Sequence, residues 1–445
     1  NAHNNDIKVT LTKTKLSFID AYYSKVSNLE ILPWHTDQAY SGKLDVSKFN
    51  NPNNYYLKIF IYLTDVGHNN GCMSYIPESH KIGYAIRKGI FERKINYQPY
   101  WSINSFKKII HTSGDKSLSI RWVLFSSLAN GKSEAKNLLI SDDVLAAIKA
   151  IKKLGIKTIL RNNVCTIYGK GFHGYKYKKN LVINAENSGT LGRLLLGLLI
   201  NCPYSIKLTG DKSLSKRDFK RISDPLSKFG ATFKLNKNKN LPLVVKGSNN
   251  LKPIKYFENK GSAQCKSSVI FGAMRTLGTT HIKAKKSRNH TELLCQYLNL
   301  PLTVKRKKNY DEIKVKKVKY IKPLNYNIPS DISSSSFFIV LTALSNKSEL
   351  IIKNVNINPS RTGIISILKK MGISIVIKNQ RFYKGEKIAN IKIVSPKTIK
   401  SINCPSKLNS KAIDEFLVIF LVAAKAKGIS YFKNLSELNQ KESPR

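Results

Sequence analysis

Three short segments carry side chains suited to holding anions. Gly114-Asp115-Lys116-Ser117-Leu118-Ser119-Ile120-Arg121, Asn187-Ser188-Gly189-Thr190-Leu191-Gly192-Arg193 and Gly210-Asp211-Lys212-Ser213-Leu214-Ser215-Lys216-Arg217 each set cations among glycine and hydroxyl residues. Glycine lets backbone N–H groups approach a phosphate or carboxylate, and hydroxyls add neutral donors. A helix starting there aims its positive end at the ligand. One such segment alone is as compatible with a solvated loop; three in one chain point to a cleft for small anions. None has the P-loop spacing. Near the amino end, His35-Thr36-Asp37 after Pro33-Trp34 offers a different chemistry. Two residues apart on a strand, His35 and Asp37 face the same way, as two ligands of a facial metal triad must.

The elements that position these residues read as a repeat. Ser141, Asp142 and Asp143 make a helix start, Val144, Leu145, Ile148, Ile151 and Leu154 follow at helical spacing, and Gly155 ends the run. The same apolar–cap–apolar ending recurs at Phe229-Gly230-Ala231, Leu298-Asn299-Leu300 and Met371-Gly372-Ile373. The caps are 75, 69 and 73 residues apart, with β-rich runs such as Ile351 to Val355 between them. This predicts an α/β unit of roughly 70 residues used several times. The next cap would fall near residue 445 or beyond. Residues before about 108 lack the repeat; Leu57 to Leu63 reads there as a buried strand between turn-rich segments. A boundary is expected between Ser105 and Ser113.

Length and composition bound the remaining classes. The 445 residues suffice for two or three domains, and 42% hydrophobic with 23% charged residues excludes wholesale disorder. The net charge of +49 would suggest nucleic acid, but only 13 of the 76 basic residues are Arg and the lysines are dispersed. Dispersed Lys with abundant Asn and Ile reads as compositional bias, so no nucleic-acid partner is expected. The six cysteines are scattered without a C-x-x-C pair, and no apolar run approaches the ~20 residues of a membrane helix. The expectation is a cytoplasmic monomer with no membrane partner.

The three cation segments, with Leu138 to Leu145, Gly261 to Ser267, Ser287-Arg288-Asn289-His290-Thr291-Glu292 and Asp331-Ile332-Ser333-Ser334, fall into a known order. Asn358-Pro359-Ser360-Arg361-Thr362-Gly363, Ile413-Asp414-Glu415 and Lys441-Glu442-Ser443-Pro444-Arg445 complete it. From about Gly114 to Arg445 the chain resembles the 5-enolpyruvylshikimate-3-phosphate (EPSP) synthases, transferases of the shikimate pathway that serves chorismate and aromatic amino acid biosynthesis. The resemblance implies an α/β fold, an inside-out α/β barrel of such units, with domains at 109–323 and 324–445. It implies enolpyruvyl transfer from phosphoenolpyruvate (PEP) to the 5-hydroxyl of shikimate 3-phosphate, without a cofactor. Carried over motif by motif, Lys116, Asp414 and Glu442 would be catalytic. Ser117, Arg121, Ser262, Ala263, Gln264, Ser287, Arg288 and Asp414 would bind shikimate 3-phosphate. Lys116, Asn187, Gly189, Thr190, Arg217, Gln264, Lys441, Glu442 and Arg445 would bind PEP. Ile120 and Pro444 depart from the family's usual residues. The family's first strand, ahead of Gly114, is expected to be missing, and so is a final repeat beyond Arg445, leaving the second domain incomplete and turnover in doubt.

His35-Thr36-Asp37, Leu57 to Val66, Asn70-Gly71-Cys72-Met73 and Tyr75-Ile76-Pro77-Glu78-Ser79-His80-Lys81 together resemble the phytanoyl-CoA dioxygenase-like enzymes. That resemblance covers residues 1–108 and implies part of a double-stranded β-helix (cupin-type). His35 and Asp37 would be two ligands for Fe(II), with 2-oxoglutarate as co-substrate, in an incomplete site. Two alternatives to the transferase stay open: an Fe(II)/2-oxoglutarate oxygenase completed by His111, and an inactive fusion that merely binds anions.

Overall fold

Helix starts and stops follow local residue chemistry. A computed structural model describes residues 105–161, 164–435 and 438. Its α-helices are α1 (Lys116–Leu128), α2 (Asp142–Lys153), α3 (Gly189–Leu198), α4 (Lys220–Ser227), α5 (Ala263–Arg275), α6 (His290–Tyr297), α7 (Ile332–Leu344), α8 (Gly363–Lys370), α9 (Asn409–Ala412) and α10 (Phe416–Lys425). The four residues expected to cap helix ends all take the left-handed conformation: Gly155 at φ 82°, Gly230 at 116°, Asn299 at 54° and Gly372 at 87°. Only Gly, and less often Asn, enters that region without steric cost, so these positions terminate their helices.

Four four-stranded sheets share one order. In one, Lys255–Glu258 runs parallel to Thr279–Lys285, which pairs antiparallel with Tyr310–Lys316, itself antiparallel to Leu302–Arg306. Helix α5 links the parallel pair and α6 precedes the hairpin. The unit from Val182 to Lys246 repeats this with α3 and α4. Strand burial alternates, as in Thr279–Lys285, so one face of the sheet meets the helices and the other meets solvent. Each sheet is open at its edges; helices fill the interior and sheets form the outside.

The remaining two sheets exchange their first strands. Lys107–Ile110, which leads into α1, pairs with Glu349–Asn356, and Tyr326–Asn327, which leads into α7, pairs with Asn130–Lys136. The strand expected to be missing ahead of Gly114 is therefore present, in the sheet of the second core. The chain crosses twice between two hydrophobic cores, one running from Leu118 to Ile328 and one from Ile332 to Leu438. The crossings lie side by side: the Asp115 N–H donates to the Pro329 carbonyl at 2.8 Å and the Asp331 N–H to the Ser113 carbonyl at 2.9 Å. Gly114 is required here, since a Cβ would stand 1.9 Å from the Asn137 carbonyl oxygen.

Helix α1 is buried all round from Leu118 to Leu128, which explains its lack of an amphipathic pattern. Each large apolar side chain there contributes about 2 kcal/mol of burial. Phe125 packs on Phe271 of α5 with centroids 5.0 Å apart, and the Trp122 indole donates to the Leu324 carbonyl at 2.8 Å. Ile120 is fully buried, so this departure from the family's usual residue is a core position. Cys165, Cys202, Cys265, Cys295 and Cys404 are buried and free; Cys72 lies outside the described residues.

Candidate active site

The functional side chains sit at or beside helix N-termini, where short polar caps are favoured. Asp115, Ser188, Ser262 and Asp331 accept backbone N–H bonds at the starts of α1, α3, α5 and α7. The first turns of these helices present Lys116, Gly189, Thr190, Ala263 and Gln264.

One set surrounds Arg121, which is 3% exposed. Its Nε donates to Thr291 Oγ1 at 2.8 Å, its Nη2 to Ser267 Oγ at 3.2 Å and its Nη1 to the Ser117 carbonyl at 3.0 Å. Burial pushes this guanidinium down to about 10, while Glu292, Asp115 and Glu386 favour its charge. Behind it Lys266 and Glu292, 0% and 3% exposed, form a buried ion pair at 2.7 Å. Ser287 Oγ is buried nearby in sequence without a hydrogen-bond partner, and the Ser262 hydroxyl accepts the Cys265 N–H at 3.3 Å.

A second set joins α3 to α5. Gln264 Nε2 donates to Thr190 Oγ1 at 2.9 Å, and Arg193 Nη1 donates to Gln264 Oε1. Arg217 reaches Asn187 Oδ1 at 3.5 Å and lies over Gly189, where a Cβ would stand 2.8 Å from its Nη1. The Ser268 hydroxyl donates to the Arg193 carbonyl at 2.8 Å, tying this set to Ser267 and so to Arg121.

The third set spans both cores. Lys116 Nζ lies 3.4 Å from Asp143 Oδ2, and the Lys116 N–H donates to Asp331 Oδ2 at 3.1 Å. Arg288 pairs with Asp414, bringing a residue beside the Arg121 set onto the end of the second core. Glu415, adjacent to Asp414, accepts from Ser333. Burial raises its carboxyl to about 7, with Arg361 opposing and Asp414 adding to the rise. The His290 imidazole meets Glu386 at 2.7 Å, and Asn358 donates to Glu386 at 3.1 Å, so this network also bridges the cores.

Of the sequence-derived residues, Lys116, Ser117, Arg121, Asn187, Thr190, Arg217, Gln264, Arg288 and Asp414 make the contacts described, Gly189 lies beneath Arg217, Ser262 and Ala263 open α5, and Ser287 precedes Arg288. Lys441, Glu442 and Arg445, like His35 and Asp37, lie outside the described residues. Sequence reasoning missed Asp143, Arg193, Arg361 and Glu415. Asp143 read as a first-turn helix acid, and Arg193, Arg361 and Glu415 stood inside quoted motifs without an assigned role.

The model of the family described as EPSP synthase (3-phosphoshikimate 1-carboxyvinyltransferase) matches residues 102–445. The chain belongs to the EPSP synthase family. It is 39% identical over 333 residues to the 3-phosphoshikimate 1-carboxyvinyltransferase of Caldicellulosiruptor saccharolyticus, covering 74% of this chain and 76% of the relative. It is also 39% identical over 344 residues to that of Vesicomyosocius okutanii, covering 77% of each. The EPSP synthase structure from Acinetobacter baumannii superposes with a TM-score of 0.67 at 35% identity, covering 73% of this chain and 72% of that one. The enolpyruvyl transferase NikO from Streptomyces tendae shares the fold, with a TM-score of 0.55 at 14% identity over 74% of each chain.

Residues 15–130 also match the phytanoyl-CoA dioxygenase (PhyH) model, overlapping the EPSP synthase match from 102 to 130. In the described part of that overlap the chain is the Lys107–Ile110 strand, α1 and the start of the next strand, and Arg121 is bonded within the first set. Among the described residues no group of three His, Cys, Asp or Glu side chains fits a metal ion, and His111 is exposed.

Proposed function

We propose that the chain transfers the enolpyruvyl group of PEP to the 5-hydroxyl of shikimate 3-phosphate, giving EPSP and phosphate. The observation that carries this reading is the gathering of cations and hydroxyls around Arg121 and between Thr190 and Gln264, with Arg288 paired to Asp414 across the two cores. Both substrates carry a phosphate and a carboxylate, and preorganised cations and donors favour them most where charge develops. The Arg121 set, with Ser262, Ala263, Gln264, Ser287 and Arg288, would hold shikimate 3-phosphate. Asn187, Gly189, Thr190, Arg193 and Arg217 would hold PEP, with Lys441 and Arg445 as further cations for it.

In this reading Asp414 takes the 5-hydroxyl proton as the oxygen bonds to the enol carbon of PEP. Glu442 delivers a proton to the methylene carbon, giving a tetrahedral adduct. Loss of that proton from the new methyl group and departure of phosphate restore the double bond. Lys116 stabilises the negative charge shared between the hydroxyl and PEP. Arg288, paired with Asp414, leaves it for the substrate on binding. The chemistry draws on no cofactor. Residues 109–323 and 324–445 act as the two domains of a monomer that works in the cytoplasm without a nucleic-acid partner. No helix among the described residues is long and apolar enough to cross a membrane.

Phosphate release from PEP plus shikimate 3-phosphate tests the reading, with Asp414→Asn as control. The expected result is release by the parent chain and its loss in the variant, with shikimate 3-phosphate still bound. Release by Asp414→Asn at the parent rate removes Asp414 as base. Normal binding without release by the parent reduces the function to ligand binding.

A further inference from the structure

One buried ion cluster has no part in the reaction as written. Arg361 is 4% exposed and lies between the two chain crossings. Its Nη1 donates to Asp115 Oδ2, and its Nη2 donates to Asp331 Oδ1 at 2.9 Å and to Ser333 Oγ at 2.7 Å. The Ser333 hydroxyl in turn donates to Glu415 Oε1, on a side chain 2% exposed. Both ends of this chain of bonds adjoin residues assigned to the reacting hydroxyl. Asp115 precedes Lys116, and Asp331 accepts the Lys116 N–H; Glu415 precedes α10 and follows Asp414.

A carboxyl buried beside a carboxylate is costly, and an apolar residue of similar volume would fill the same space at less cost. Packing is therefore not what Glu415 supplies. A fork of guanidinium bonds to two carboxylates and a hydroxyl fixes direction as well as distance. We propose that Arg361 and Glu415, joined through Ser333, are positioning residues that align Lys116 and Asp414 on the same substrate hydroxyl. The proposal rests on the reading of Lys116 and Asp414 given above.

The charged groups that act on Glu415 among the described residues are Arg361, Asp414 and Arg288, with Asp115 and Asp331 on the far side of Arg361. Burial works against the Arg361 charge, but Asp115, Asp331, Glu415 and Asp414 more than offset it and hold it above the ordinary arginine value. Glu415, raised to about 7 by burial, changes charge in the working range. Below that pH Asp414 stands as the one carboxylate facing Arg288. Above it, a second negative charge stands next to Asp414.

The test uses Glu415→Gln, which keeps the acceptor for Ser333 and removes the charge, and Ser333→Ala, which breaks the link. Phosphate release and calorimetric binding of shikimate 3-phosphate are measured at pH 6 and pH 8 on the full chain. For Glu415→Gln the expected kcat equals the parent's at pH 6 and falls about fivefold at pH 8, the size of one coupled neighbouring interaction. KM stays within about twofold. Ser333→Ala is expected to lower kcat by a similar factor at both pH values. The parent-to-variant ratio of Kd cancels ionisation of the ligand phosphate and requires no turnover. It is expected near one at pH 6 and at least about threefold from one at pH 8, again from a single coupled charge. For Glu415→Gln, ratios of kcat and Kd to the parent's that do not change between pH 6 and 8 overturn the proposal, and equal loss of both at each pH leaves Glu415 a purely structural residue. If Asp414→Asn releases phosphate normally, the base assignment fails instead, a result separate from either.

Discussion

Replacing Glu415 by Gln is expected to stabilise the folded chain at alkaline pH and leave it unchanged in acid. The carboxyl is raised from an ordinary 4.5 to about 7, chiefly by burial. A folded value above the unfolded one means the native state holds the extra proton between those limits. The stability contributed by that proton is fully present below pH 4.5 and is lost as pH rises to 7. At about 1.4 kcal/mol per pH unit, the loss amounts to about 3 kcal/mol. Gln cannot ionise, so the variant escapes the loss. Urea unfolding at pH 5, 6, 7 and 8 measures the difference, with buried Trp122 as one reporter of the core. The variant should already lead by about 1 kcal/mol at pH 5 and by about 3 kcal/mol at pH 8. A constant difference at every pH, or a variant less stable at pH 8, would refute the account of a buried acid held out of its charged form.

Other outcomes follow from the same geometry. Glu292→Gln strips Lys266 of its buried partner and should cost about 3–5 kcal/mol in urea unfolding, whereas adding Lys266→Met should restore much of that. Gly189→Ala drives a methyl into Arg217 Nη1 and should raise the KM for PEP roughly tenfold, about one charge-assisted contact, while the Kd for shikimate 3-phosphate holds. With a net charge of +49, association with both anionic substrates should slow as salt rises from 0.05 to about 0.5 M. A stopped-flow rate independent of salt would remove electrostatic steering.

Much of this architecture is local and was therefore legible. The caps at Gly155, Gly230, Asn299 and Gly372 announce themselves because the left-handed conformation admits few residue types, and all four lie where the repeat requires. The anion-holding residues Lys116, Gly189 and Thr190 were equally legible, since first turns of helices advertise small and hydroxyl side chains beside a cation. Arg361 was quoted within a motif, yet its partners Asp115 and Asp331 lie 246 and 30 residues away. Asp143 carried an adequate local explanation as a helix-start acid, which concealed its pairing with Lys116.

By itself, the sequence determined the repeating α/β unit, the helix ends and the inventory of anion-binding side chains, because each depends on contacts within a few residues. Tertiary structure alone decided that Lys107–Ile110 belongs to the sheet of the far core, and that Arg361, Ser333 and Glu415 lock together beneath Lys116 and Asp414. Strand exchange and buried ion clusters depend on which distant segments meet, and on how far burial shifts a charge. Neither quantity is written in residue spacing.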